Sequence, residues 1–181
     1  RGLVGSEMCI RDRYYLFDYQ IGYMYWRYFM WNFSGRQDDI QGKMNMNGNW
    51  ISGINFIDEW HLGVTQENLP TDVMENKARN TYFMLPLLLG LLGLYFLYKT
   101  NKEYFWILLL FFVFTGLAIQ VYTNVRPFEP RERDYSVVGS FYVFSIIIGI
   151  GTYYMSKFFR KIKVKGIMII PIILCLLLVP L

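Results

Sequence analysis

Four stretches carry apolar side chains almost without interruption: residues 81–98, 104–122, 137–155 and 164–181. Each is close to the ~20 residues a helix needs to cross a bilayer core. None has an ionisable side chain in its middle. The first carries Pro86 in its opening turns, where a missing N–H is tolerated, and Gly90 and Gly93 on the same face. In the third, Ser145, Gly149 and Thr152 fall at i, i+4 and i+7, a small-residue stripe that lets membrane helices approach closely. Both stripes are expected to be helix contacts. Pro171 predicts a kink in the fourth.

Residues 14–33 (YYLFDYQIGYMYWRYFMWNF) follow another pattern, with Tyr, Trp or Phe at nearly every other position and Asp18, Gln20, Arg27 and Asn32 between them. Amphipathic aromatics favour the headgroup level, so this stretch reads as an interfacial or re-entrant helix, with a fifth span as the alternative. Gly42, Gly48 and several Asn make residues 35–50 a loop, residues 50–60 a short helix, and residues 66–71 a polar turn into the first span. Residues 1–13 (RGLVGSEMCIRDR) have neither membrane periodicity nor a signal-peptide core. They resemble translated adapter sequence and are expected to lie outside the native fold. The chain stops at Leu181 in or just after an apolar run. The expected fold class is therefore an all-α membrane protein: about four transmembrane helices behind an N-terminal interfacial aromatic helix, an internal fragment of a larger polytopic bundle.

Composition agrees, with 54% hydrophobic and 19% aromatic residues among 181. The net charge of +4 is not a nucleic-acid signal, because most of the excess is the cluster Lys157, Arg160, Lys161, Lys163 and Lys165 directly after an apolar run. That cluster and the Lys99/Lys102 hairpin belong on the cytoplasmic side. Helix alternation then puts residues 14–80 and 123–136 on the outer face. Cys9 and Cys175 support no disulfide framework.

The densest candidate chemistry is the connection holding Arg126, Glu129, Arg131, Glu132, Arg133 and Asp134. Charges beside lipid must pair, bind something or reach water. Arg36 with Asp38 and Asp39 is a second constellation, able to orient an acceptor or hold a divalent ion, or else to cap a helix. Arg27 is expected to snorkel to headgroup phosphates. Asp58 and His61 at i and i+3 have a metal-compatible spacing but no second cluster, so no metal site is assigned. Trp26, Trp31, Trp50 and Trp60 can stack on sugar faces or anchor at an interface. Asn32-Phe33-Ser34 matches a glycosylation sequon, to which a presumed bacterial chain gives little weight. Phosphate-loop, dinucleotide, zinc and triad signatures are lacking.

Taken in order, Tyr23 to Phe33, Gly35-Arg36-Gln37-Asp38-Asp39-Ile40-Gln41-Gly42, Asn49-Trp50-Ile51-Ser52-Gly53-Ile54, Phe56-Ile57-Asp58, Arg79-Asn80-Thr81-Tyr82, Leu85-Pro86-Leu87-Leu88-Leu89-Gly90, Pro130-Arg131-Glu132-Arg133-Asp134-Tyr135 and Gly139-Ser140-Phe141-Tyr142 form a recognisable series. It resembles the bacterial branch of glycosyltransferase family 117, membrane proteins related to protein O-mannosyltransferases. The resemblance runs from Tyr14 to about Met155. It implies a multi-pass protein of the bacterial inner membrane that takes a mannose-like sugar from a polyprenyl-phosphate donor and passes it to a protein or glycan acceptor on the outer face. It implies lipid, the lipid-linked sugar and the rest of the polypeptide as partners, with no nucleic acid and no further cofactor. In such enzymes the catalytic carboxylate lies early, so the base is expected upstream of this chain and the fragment is expected to lack it. Arg126, Arg131 and Arg133 then become candidate donor-phosphate ligands, since the guanidinium fork binds phosphate bidentately. Glu129, Glu132, Asp134, Arg36, Asp38 and Asp39 would supply the supporting charge network. The alternative is a loop clamp in a non-catalytic membrane scaffold or partner-docking protein, in which Arg131 and Arg133 pair with those carboxylates. A transporter is disfavoured by the absence of mid-span ionisable groups.

The topology has a direct check. A cysteine replacing Glu132 is expected to react with a membrane-impermeant thiol reagent from outside intact cells; labelling only after permeabilisation reverses the assignment.

Overall fold

A computed structural model describes residues 10–40, 42–124 and 134–161. Helix α1 is wound as a wide i→i+5 π-helix over Tyr15–Arg27 and continues as an α-helix over Tyr28–Phe33. Residues 10–14 form its first turns, so the helix reaches back into the stretch expected to lie outside the fold. A polar region follows with strand β1 (Gly35–Arg36), helix α2 (Asn55–Leu62), the single turn α3 (Thr71–Met74) and strand β2 (Asn80–Thr81). Then come three apolar helices: α4 (Leu85–Thr100), α5 (Lys102–Thr123) and α6 (Asp134–Lys161). The described chain is thus essentially all-helical. Its helices Lys102–Thr123 and Tyr135–Phe158 are long and apolar enough to cross a membrane by length and composition, and α4 is a shorter apolar helix. The stretch 164–181 lies outside the described residues.

Asn101 turns the chain between α4 and α5, its side-chain oxygen accepting from the backbone N–H of Glu103 (3.1 Å) and Tyr104 (3.3 Å), which satisfies donors a helix start leaves open. Helices α4 and α6 run side by side in the same direction, with Gly90 against Phe144, Gly93 against Ile147 and Gly151, and Phe96 stacked on Tyr154. At the crossing the two backbones touch: a Cβ on Gly93 would overlap the Ile147 carbonyl, and one on Gly151 the Leu89 carbonyl. The expectation for Pro86, Gly90 and Gly93 is met, since all three are buried. The expectation for Ser145, Gly149 and Thr152 is not. Ser145 and Gly149 are exposed, and a Cβ on Gly149 would meet open space. The packed face is instead Ser140, Phe144, Ile147 and Gly151, rotated around the same helix. Small residues permit close approach, but the larger apolar neighbours decide which face turns inward.

The aromatic helix is part of the bundle and does not lie apart from it. Phe29, Met30 and Phe33 of α1 join Leu87 and Phe144 in one buried cluster. Phe144 meets Phe29 and Phe33 edge to face, with centroids 4.8 and 4.7 Å apart, each such pair adding about 0.5–1.5 kcal/mol beyond burial. Tyr25 packs where α5 opens into a π-turn (Phe114–Ala118), its ring occupying the space over Gly116. One turn further out, the Gln20 amide donates to the Asn124 side chain at 2.8 Å, tying α1 to the end of α5. By contrast, Trp106, Ile107, Leu110, Phe111 and Phe114 line an exposed apolar face on α5.

The crossing predicts an asymmetric response to a single methyl group. Gly151→Ala is expected to cost about 1–3 kcal/mol by overpacking, whereas Gly149→Ala, two residues away on the exposed side of the same helix, is expected to be neutral or slightly stabilising. Thermal unfolding of the two variants in the same detergent checks the difference.

Candidate functional site

The polar region is organised by β1. Gly35 and Arg36 pair antiparallel with Thr81 and Asn80 on one side, and Arg36 bridges to Trp50 on the other. Residues 37–50 therefore leave the ladder and return to it as a closed loop, with Gln37 N–H donating to Asn49 O at 3.1 Å and Ile51 N–H to Gly35 O at 3.1 Å.

Asp38 holds the loop from inside. Its carboxylate accepts from the Ile40 and Gly48 N–H groups, both at 3.0 Å, and its carbonyl accepts from the Trp31 indole N–H at 3.0 Å. Gly48 sits at φ +65°, a left-handed conformation suited to glycine, and a Cβ there would overlap the Ile40 carbonyl. Its carbonyl accepts from the buried Arg27 guanidinium, which also donates from Nε to Tyr23 O at 3.2 Å and lies over the Tyr23 ring at 4.5 Å. The Tyr23 hydroxyl in turn donates to the Gly42 carbonyl. Arg27 is thus the pin joining α1 to the loop, and the snorkelling role expected for it is corrected. A buried guanidinium with two carbonyl partners and an aromatic ring beneath it is held far more firmly than one reaching for headgroups.

The second constellation does not assemble as a charge cluster. Arg36 lies over the Trp31 ring at 4.2 Å, and Asp39 points to solvent. Neither Asp38 nor Asp39 pairs with Arg36 among the described residues. Asp58 is also structural: buried, it accepts from Ser52 N–H (2.6 Å), Ser52 Oγ (2.8 Å) and Gly53 N–H (2.8 Å), fastening α2 to the end of the ladder. The described residues contain no cluster of His, Cys, Asp and Glu fit to hold a metal. Arg126, Glu129, Arg131, Glu132 and Arg133 lie outside the described residues. Asp134 opens α6, and its side chain is likewise outside the description.

These contacts leave an open cleft of about 360 Å³ between α1, the loop and α2, lined by Tyr14, Asp18, Gly22, Tyr23, Trp26 and Arg27, by Met44, Asn45, Asn49 and Trp50, and by His61. Its α1 wall is Tyr14, Asp18, Gly22 and Trp26, a strict four-residue spacing that puts them on one side of a helix. Its far wall is the Trp50–His61 stack, with centroids 4.1 Å apart and planes 20° from parallel. The Asp18 carboxylate and Trp26 Nε1 have no protein partner among the described residues, and Trp26 is 51% exposed. Asn45 uses its side-chain oxygen to hold Asn47 N–H at 3.0 Å, and its carbonyl accepts from the Asn49 amide at 2.9 Å. The His61 Nε2 is buried without a hydrogen-bond partner. Of the tryptophans with a stacking option, Trp26 and Trp50 face this cleft, Trp31 braces the loop, and Trp60 is exposed elsewhere.

Asp18, Gly22 and Asn45 were not foreseen as a site. Their helical spacing with Trp26 was readable, but nothing in the sequence showed that the loop folds back over that face. Comparison with known protein families, with curated proteins and with solved structures finds no match to this chain.

Burial pushes the His61 imidazole below its ordinary value of 6.5, with Asp58 pulling the other way. Above about pH 6.5 folded and unfolded chains both carry it neutral, and the loop keeps its full stability. As pH falls below that point, the unfolded chain gains a proton that the folded one resists. Stability therefore declines until the folded imidazole also titrates. His61→Phe, which keeps a ring against Trp50, is expected to flatten the pH dependence of the unfolding midpoint between about pH 7.5 and 5; an unchanged slope contradicts the assignment.

Proposed function

We propose that this chain is part of a polytopic membrane glycosyltransferase that uses a polyprenyl-phosphate-linked, mannose-like sugar on the outer face of the bacterial inner membrane. The observation that carries this is the aromatic and polar cleft, set at the same end of the helical bundle as the two flanks, Asn124 and Asp134, of the arginine-rich connection. Helix α1 is common to both, since Gln20 holds Asn124 while Asp18, Gly22 and Trp26 line the cleft. A membrane setting is supported by the exposed apolar face of α5, which water would not favour, and by Lys99, Lys102 and Lys157 at the opposite end. With α4 and residues 164–181 as further spans, the architecture is a bundle of about four transmembrane helices.

Sugar transfer from such a donor needs a carboxylate to take the acceptor proton and cations to stabilise the departing phosphate. Arg126, Arg131 and Arg133 suit the second task, and the base belongs to a part of the polypeptide upstream. The scaffold alternative draws on one specific observation: Arg27, Asp38 and Asp58 are all committed to holding the loop and α2 in place.

In the protein carrying its upstream part, Arg131→Ala and Arg133→Ala are each expected to lower kcat for sugar transfer by about 10²-fold, with abundance and folding preserved, as for loss of one transition-state charge partner. Full transfer in both variants would sink the phosphate role and favour the scaffold.

A further inference from the structure

The cleft differs in chemistry from a phosphate site. Among the described residues its one lining cation, Arg27, is engaged by the Gly48 and Tyr23 carbonyls and by the Tyr23 ring, and the Asp18 carboxylate stands on the same wall. An incoming phosphate would meet a carboxylate at the mouth and a guanidinium already facing other oxygens, so its desolvation would not be offset. A neutral polyol meets the reverse. Pyranose rings present an apolar C–H face that packs on aromatic rings, and Trp26 and the Trp50–His61 stack supply such rings. Sugar hydroxyls both donate and accept. The Asp18 carboxylate accepts only and Trp26 Nε1 donates only, so the exposed part of the cleft offers one group of each kind. The Asp18 carboxylate and Trp26 Nε1 are exposed and have no protein partner among the described residues. The volume of about 360 Å³ falls within the range of small-molecule sites, about 300–1,000 Å³.

We infer that the cleft between α1, the loop 42–50 and α2 is a subsite for a neutral saccharide, taking the acceptor glycan and not the phosphate end of the donor. The inference rests on the glycosyltransferase reading for its biological role but not for the binding itself. In that setting Trp26 is the stacking platform, Asp18 fixes ring orientation through hydroxyls, His61 backs Trp50 as part of the far wall, and Gly22 leaves the wall between Asp18 and Trp26 free of side chain. The donor phosphate is left to the arginine-rich connection beyond Asn124.

The test uses the full chain in a detergent without a sugar headgroup, with mannobiose as probe and saturation-transfer NMR and calorimetry as readouts. Mannobiose is expected to receive saturation and to bind with a measurable Kd. Trp26→Ala is expected to weaken binding about tenfold or more, and the near-isosteric Asp18→Asn to weaken it with the circular dichroism spectrum unchanged. Trp106→Ala, an exposed tryptophan on α5 outside the cleft, is expected to leave it as it was. Inorganic phosphate should not displace the sugar. No saturation transfer to mannobiose, equal weakening by Trp106→Ala, or displacement by phosphate would each overturn the inference. The two proposals fail separately. Sugar transfer by the longer protein with an acceptor KM unaffected by Trp26→Ala removes the cleft and keeps the reaction; mannobiose binding without any transfer removes the reaction and keeps the cleft.

Discussion

Helices α4 and α6 touch backbone to backbone where Gly93 meets Ile147 and Gly151 meets Leu89, and the rest of the molecule is hung from that contact. With no side chain between them the axes come close enough for the Phe144 ring to lie over Gly90. That ring is the surface on which Phe29 and Phe33 dock, so the depth and rotation of α1 follow from two glycines elsewhere in the chain. Close packing of this kind has little tolerance, since interiors fill to crystal-like density and a single methyl group is felt.

The cleft depends on α1 being fixed. Its aromatic half is held in the bundle by Tyr25, Phe29 and Phe33, while its polar half faces the loop through Tyr23 and Arg27. Arg27 and Asp38 act on the loop from opposite sides of one residue, the guanidinium on the Gly48 carbonyl and the carboxylate on the Gly48 N–H. The Gly48 peptide is thereby matched at both of its polar groups, as a buried backbone unit requires. The Asp18 carboxylate and Trp26 Nε1, without protein partners among the described residues, line the open cleft, apart from the groups that hold the loop.

Much of the helical framework was legible. Apolar runs marked α4, α5 and α6, and Pro86 with Gly90 and Gly93 marked the packed face of α4. The stripe Ser145, Gly149, Thr152 pointed to the wrong face of α6, because small size alone does not say whether a partner is present. Trp26, Trp50 and His61 could each be singled out by type, yet Asp18 and Asn45 join them only through a loop closure governed by Gly48 and by the return of Trp50 to β1. Arg27 was misjudged for a related reason. An arginine among aromatics looks the same in sequence whether it reaches for a headgroup or pins a carbonyl.

By itself the sequence determined roughly where the apolar helices form and which connections are polar, because those depend on local hydrophobicity, on Pro and Gly, and on charge within a few residues. It also carried the positive-φ glycine and the four-residue spacing from Tyr14 to Trp26. Only the tertiary structure decided which side of α6 faces α4, that the aromatic helix belongs to the bundle, and that Asp18, Asn45 and His61 share one cleft. Those outcomes turn on contacts between residues far apart in the chain, where packing of whole surfaces outweighs the preference of any single side chain.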